Sequence, residues 1–210
     1  MDESNGHPKR VIAYIDGFNL YFGLKESGWQ RYYWLDVHKL AELQLPQDTV
    51  LVSVKYFTAP VKAPEDKRKR QSDYLEALET LALCRIIRGK YQFTSYFCKY
   101  CFGEDRRPSE KMTDVNIAVE MMMDAFEDNC DIALMISGDS DLTPPINAIH
   151  RLFQGKHVFV AFPPKRHSVD LEKAAIKSHA IRRVSFRDSQ LPDEIQKSDG
   201  YKLKRPEKWR

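Results

Sequence analysis

Apolar residues come in short runs separated by amphipathic stretches. Val11–Ile15 (VIAYI) is apolar throughout and ends at Asp16-Gly17, which predicts a buried strand. Asn19–Glu26 follows as a helix, and Asp36–Leu43 as another, with Asp36 placed to cap it. Val50–Phe57 (VLVSVKYF) predicts a second strand. Pro60 and Pro64 open a charged stretch, and Glu65–Ala82 predicts a long helix with Tyr74, Leu75, Leu78 and Leu81 as its apolar stripe. Tyr91–Phe97 is a third strand and Cys98–Pro108 a loop. Asp114–Asp128 has strong helical periodicity. Ile132–Ser137 is an apolar strand broken by Gly138. Leu142–Phe153 is a helix with Pro144 and Pro145 in its first turn, where proline costs little. His157–Phe162 is a strand, Asp170–Lys177 a short helix and Ile181–Val184 a last short strand.

Strands alternate with helices, and several strands are apolar at every position. Such strands are buried on both faces, so the pattern predicts an α/β fold with a mainly parallel sheet between two helical layers. Ligands of such sheets bind beyond the carboxyl ends of the strands. Two strands end there in aspartates: Ile15-Asp16, and Ser137-Gly138-Asp139-Ser140-Asp141.

The helix starting at Asp114 adds a third acidic position. At about 100° per residue, Val115, Ala118, Val119, Met122 and Phe126 form one apolar arc, which is expected to be the buried one. Asp114 lies at its edge, near Ala118, Met121 and Ala125, and Glu120 lies opposite, on the solvated side. A single aspartate after a strand is as often a helix cap as a site, and Asp141 is well placed to cap the next helix. The SGDSDL segment is harder to explain that way. Two carboxylates about 5 Å apart repel by roughly 3 kcal/mol at an effective dielectric near 20. A cluster of this kind needs a cation or raised pKa values. Oxygen-only ligands favour Mg²⁺ or Mn²⁺, and such an ion suits phosphodiester hydrolysis. An aspartyl phosphatase would need a second Asp two residues after Asp16, where Phe18 stands. A nicotinamide site would need G-x-G-x-x-G where the chain has Asp-Gly-Phe-Asn.

These segments together resemble the NYN-domain family, a branch of the PIN-like ribonuclease superfamily. The resemblance rests on YIDGFNLYFGL (Tyr14–Leu24), RQSDYLEALETL (Arg70–Leu81), EKMTDVNIAVEMMMDAF (Glu110–Phe126), DIALMISGDSDLTPPINAI (Asp131–Ile149) and KHVFVAFPP (Lys156–Pro164). It spans about residues 11–184. It implies a Rossmann-like three-layer sandwich, and a metal-dependent endoribonuclease acting on RNA, more readily on single strands. By motif position, Asp16 and Asp139 would be primary ligands of Mg²⁺ or Mn²⁺. Asp114 and Asp141 would complete the pocket, Asn19 would orient the scissile phosphate, and Ser137 would assist from the strand end. Two other readings stay open: an RNA- or protein-binding adaptor that keeps the fold without catalysis, and a nuclease acting on DNA.

Cys98 and Cys101 have the C-x-x-C spacing of half a zinc site. A structural Zn²⁺ shared between two chains of a homodimer, a redox pair and two ordinary thiols all fit. Cys84, expected on a helix, and Cys130 are not obvious further ligands. Lys67–Arg70, Arg106-Arg107 and Lys165-Arg166 are basic runs, and Tyr32, Tyr33, Trp34 and Tyr100 are candidate stacking groups for single-stranded nucleic acid.

Net charge over 210 residues is only +3, and residues 197–210 alone carry six Lys/Arg against Asp199 and Glu207. The rest of the chain is therefore slightly acidic, and bulk charge does not make its body a polyanion binder. Residues 1–10 are expected to be flexible, 11–188 to form the nuclease-like domain, and 189–210 a flexible basic tail able to tether RNA. No run of apolar residues reaches membrane-spanning length, and residues 1–10 lack a signal-peptide core, so a cytoplasmic location is expected.

Overall fold

The structure, a computed structural model, describes residues 7–61, 64–97, 100 and 103–210, with residues 91–96 and 104–111 described by backbone alone. In chain order the elements are β1 (Lys9–Asp16), α1 (Gly17–Glu26), α2 (Val37–Glu42), β2 (Thr49–Thr58), α3 (Glu65–Glu79), β3 (Cys84–Arg88), β4 (Lys90–Phe97), β5 (Glu104–Lys111) and α4 (Thr113–Phe126). They continue with β6 (Ile132–Ile136), α5 (Thr143–Leu152), β7 (His157–Phe162), α6 (Val169–Ala174), β8 (Lys177–Ala180), α7 (Arg183–Asp188), β9 (Glu194–Gln196) and β10 (Lys202–Lys204).

Six strands form one sheet in the order β3-β2-β1-β6-β7-β8, and every pair is parallel. The expected α/β sandwich is thus present. β1 is central and buried from Val11 to Asp16. Its side chains alternate between two cores: Val11, Ala13 and Ile15 join Leu20, Trp34, Leu40 and Leu78 on one face, and Ile12 and Tyr14 join Ile117, Met121, Ile146 and Val160 on the other. A run of apolar residues is what a strand with two buried faces requires. The chain moves outward from β1 to β3, then returns to place β6 on the other side of β1. This reversal splays the connections at the carboxyl ends of β1 and β6 apart and opens a crevice there.

Several expectations are corrected. Residues 84–88, which include Cys84, are not helical: α3 ends at Glu79, and β3 takes the outer position beside β2. That edge strand is only half-buried and has no clean alternation, which hid it. The expected strand at Tyr91–Phe97 is found, but it pairs antiparallel with β5 in a separate two-stranded ribbon. Residues 104–108 of the expected loop belong to β5. The last strand of the six-stranded sheet lies at Lys177–Ala180, and Arg183–Asp188 is helical.

On α4 the arc is rotated. Ile117, Met121 and Ala125 face the core, whereas Val115 is 62% and Phe126 79% exposed. Apolar residues occupy both sides of this helix, so periodicity alone could not select the buried one. Glu120 is not solvated. It accepts a hydrogen bond from Lys55 Nζ at 2.6 Å, and the same ammonium pairs with Asp124. Asp124 also accepts from the Tyr14 hydroxyl and from Asn129 Nδ2. Burying a charge is tolerable only when it is paired and hydrogen-bonded, and this network meets that condition.

The segment from residue 189, expected as a flexible tail, folds back on the domain. β9 and β10 form a hairpin, Leu203 is buried, and the Trp209 ring lies 5.6 Å from Tyr33, 6.1 Å from Tyr74 and 6.3 Å from Trp34. Its basic groups have acidic partners: Lys197 with Glu76, Lys204 with Glu194, Lys208 with Asp66. No helix among the described residues is long and apolar enough to cross a membrane. Residues 1–6 of the expected flexible N-terminus lie outside the described residues, and β1 already begins at Lys9.

Candidate active site

Asp16 is the last residue of β1, and the alternation that sends Ile12 and Tyr14 toward α4 sends its carboxylate the same way. It is 4% exposed. It caps α1: Oδ1 accepts from the Asn19 backbone N–H at 2.9 Å. Oδ2 accepts from the Ser137 hydroxyl at 3.0 Å. Gly17 lets α1 start hard against β2, since a Cβ there would lie 2.6 Å from the Tyr56 ring.

Ser137 follows β6 and is fully buried. Its oxygen also accepts from the Asp139 N–H at 3.1 Å, so one hydroxyl ties the two strand ends together. Asn19 adds a second tie, its Oδ1 accepting from the Gly138 N–H at 2.9 Å. Asp139 in turn accepts from the Asp141 N–H at 3.0 Å and so caps the short 3-10 turn at 140–142. Gly138 has a steric reason: a Cβ would come within 2.7 Å of the Arg166 backbone. This close approach brings the connection after β7 over the crevice.

Asp16, Asn19, Asp114, Asp139, Phe18, Phe22 and Arg166 line one cavity of about 200 Å³. Asp114, in the first turn of α4, completes the acidic set. Of the four expected aspartates, three therefore converge with Asn19. Asp141 is exposed and does not line the cavity, although its charge reaches Asp114. Asp141 does not cap α5 either, whose N-cap residue is Leu142 without a side-chain bond. Arg166, singled out in sequence only as part of a basic run, stands in the acidic cavity and pairs with Glu26. Phe22 gave no sequence signal beyond its place in α1.

The electrostatics follow from burial and like charge. Burial pushes the Asp16 carboxyl up to about 6, against the two hydrogen bonds that favour its anion, and the charges of Asp114 and Asp139 push the same way. Asp114 is also raised, by burial and then by Asp139 and Asp141. Such a cluster favours a bound cation. The donors are all oxygen, which suits Mg²⁺ or Mn²⁺. Among the described residues no three His, Cys, Asp or Glu side chains are drawn together tightly enough to chelate directly. The cavity has room for water, and Mg²⁺ commonly keeps several waters. The residues therefore fit a partly hydrated ion.

Other candidates are placed as follows. Cys98 and Cys101 lie outside the described residues, as do the side chains of Arg106 and Arg107. Cys84 and Cys130 are free thiols, pushed up by burial to about 12 and about 11. Tyr32, Tyr33 and Trp34 are buried, whereas Tyr100 is exposed. In the 67–70 run, Arg68 pairs with Glu65, Lys69 with Asp73 and Arg70 with Asp66.

The NYN domain model matches residues 10–182, which contain every residue of the cavity. A 6-hydroxy-3-succinoylpyridine 3-monooxygenase of Pseudomonas putida is 28% identical, over 69% of this chain and 57% of that protein. The chain thus spans little more than half the length of this curated relative. A crystal structure of a protein of unknown function from Vibrio parahaemolyticus matches with a TM-score of 0.58 at 19% identity, covering 87% of this chain and 98% of that one. That likeness shows the fold.

Proposed function

The chain belongs to the NYN-domain family, a PIN-like nuclease family, and from that premise we propose that it is a metal-dependent endoribonuclease cutting single-stranded RNA. The observation that carries this reading is the convergence of Asp16, Asp114 and Asp139 at the crevice between β1 and β6. Mg²⁺ or Mn²⁺ held at Asp16, Asp114 and Asp139 partly through its own waters would supply an acidic water and offset charge on the phosphoryl group. The protein's own groups set the geometry. Ser137 and the Asn19 N–H fix both oxygens of Asp16. The Asn19 Oδ1 is committed to the Gly138 N–H, which leaves its Nδ2 as a donor for a phosphate oxygen. Arg166, on the same cavity, is a charge-assisted donor for another. Asp141, at the margin, adds negative charge near Asp114 that would help hold a hydrated cation.

The test is cleavage of end-labelled single-stranded RNA with Mg²⁺ or Mn²⁺. Asp16→Asn and Asp139→Asn are each expected to abolish it while circular dichroism stays unchanged. Cleavage that survives both substitutions and EDTA overturns the mechanism. RNA binding without cleavage under any divalent cation favours the adaptor reading, and cleavage confined to DNA favours the other nuclease.

A further inference from the structure

The acidic crevice shares a wall with a second, larger cavity, since Phe18 and Phe22 line both. This chamber has a volume of about 580 Å³, within the range of sites that enclose a small organic group. Its walls are aromatic, with Phe18, Tyr21, Tyr33, Tyr56, Tyr74 and Trp209. Its charged lining is of one sign: Lys25, Lys67, Arg70 and Lys208, with no carboxylate among the described lining residues. The acidic group paired to this set is Asp66, 2.9 Å from Arg70 and 3.4 Å from Lys208. A small acidic cavity and a large aromatic, cationic one therefore lie back to back.

We propose that the chamber is a nucleobase subsite. One base of a single-stranded nucleic acid leaves the stack and enters between the rings, where any base offers a π-face. Its phosphates then lie against the cationic side. The next phosphodiester crosses the Phe18–Phe22 wall to reach Asp16, Asp114 and Asp139. The inference rests on the nuclease reading and deepens it. A base held in this chamber cannot be paired, so the chamber selects single strands and sets which bond stands over the carboxylates. It also gives the folded C-terminal segment a purpose, because Trp209 and Lys208 complete the chamber.

The experiment measures binding apart from cleavage. The Asp16→Asn chain in EDTA is titrated into a fluorescein-labelled single-stranded oligoribonucleotide, and into the same strand with every base replaced by an abasic residue. Anisotropy is the readout. Base–aromatic stacking predicts that the abasic strand binds at least about fivefold more weakly. Tyr21→Ala, on the partly exposed face of α1, is expected to remove most of that difference, and Lys67→Glu to weaken both strands. Equal binding of the two strands overturns the proposal. So does a Tyr21→Ala chain that keeps the full difference. Nicotinate, a free heteroaromatic acid, serves as a separate arm: if it saturates the chamber while oligonucleotides do not, the subsite belongs to a small molecule and the proposal fails. The two readings fail separately. Base-dependent binding without cleavage by the native chain removes the nuclease and leaves the subsite, and cleavage without base-dependent binding does the reverse.

Discussion

Replacing Asp16 by Asn should stabilise the metal-free protein at neutral pH while destroying its proposed activity. A carboxyl whose pKa climbs from 3.8 to about 6 is disfavoured as the anion by about 3 kcal/mol. The sign follows from the direction of the shift. The folded-state value lies above the unfolded one, so the neutral form's advantage is fully present below pH 3.8 and is lost as pH rises through about 6. At neutral pH the wild-type chain therefore holds a buried anion that the Asn variant does not. Asn retains an acceptor for the Asn19 N–H, but its amide must donate to Ser137, whose hydroxyl then loses its present acceptor. That exchange costs about 1 kcal/mol, leaving a net gain of about 2 kcal/mol. In a chain of this size, that gain corresponds to a rise in Tm of about 4–8 °C. The assay is calorimetry of both chains in EDTA across the acidic range, then with Mn²⁺. The Tm difference should close as pH falls toward 3.8. Mn²⁺ should raise the wild-type Tm and leave the variant nearly unmoved, because a ligand stabilises only the state that binds it. A variant less stable than wild type at neutral pH, with a pH-independent gap, would refute the claim that Asp16 is a strained buried carboxylate.

Two further outcomes follow from the packing. Lys55→Met leaves the buried Asp124 without a cationic partner and Glu120 with only the exposed Arg85, so urea unfolding should show a loss of about 3–5 kcal/mol; a loss below about 1 kcal/mol would mean that water reaches the cluster. Gly138→Ala puts a Cβ within 2.7 Å of the Arg166 backbone, so the connection after β7 must move. The expected cost is about 1–3 kcal/mol in thermal unfolding, with RNA cleavage falling much further because Arg166 and the Asn19–Gly138 tie shift together. Full cleavage by this variant would show that the close approach has no part in the site.

What could be seen in the sequence and what could not divide along physical lines. VIAYI-Asp and LMIS-Gly-Asp-Ser-Asp were readable because a strand buried on both faces must be apolar throughout, and because a parallel sheet gathers strand ends at one edge. Asp16 and Asp139 are therefore brought together by the strand pattern alone. Periodicity places Asp114 more weakly, through one turn of a helix whose two sides are both apolar, and there it chooses the wrong side. Glu120 is misplaced with it, because a salt bridge from a helix to Lys55 on β2 leaves no periodic trace. The C-terminal segment failed differently. Its mean polarity is that of a flexible tail, yet Leu191, Leu203 and Trp209 pack it against the domain. Anchoring depends on what the core leaves uncovered, here the rings of Tyr33, Trp34 and Tyr74, and no property of the tail itself reports that. The same gap explains why the acidic cluster pointed to a cation more firmly than to a substrate. Carboxylates that share a strand edge are a local pattern. The aromatic chamber beside them is assembled from α1, residues 30–35, β2, Val61, α3 and residues 208–209, lining residues that run from Gly17 to Trp209, and it exists only once the tail has folded back. Substrate choice, on this view, resides in the part of the molecule with the least periodic sequence, and removing that part should cost specificity for single strands before it costs the carboxylate site.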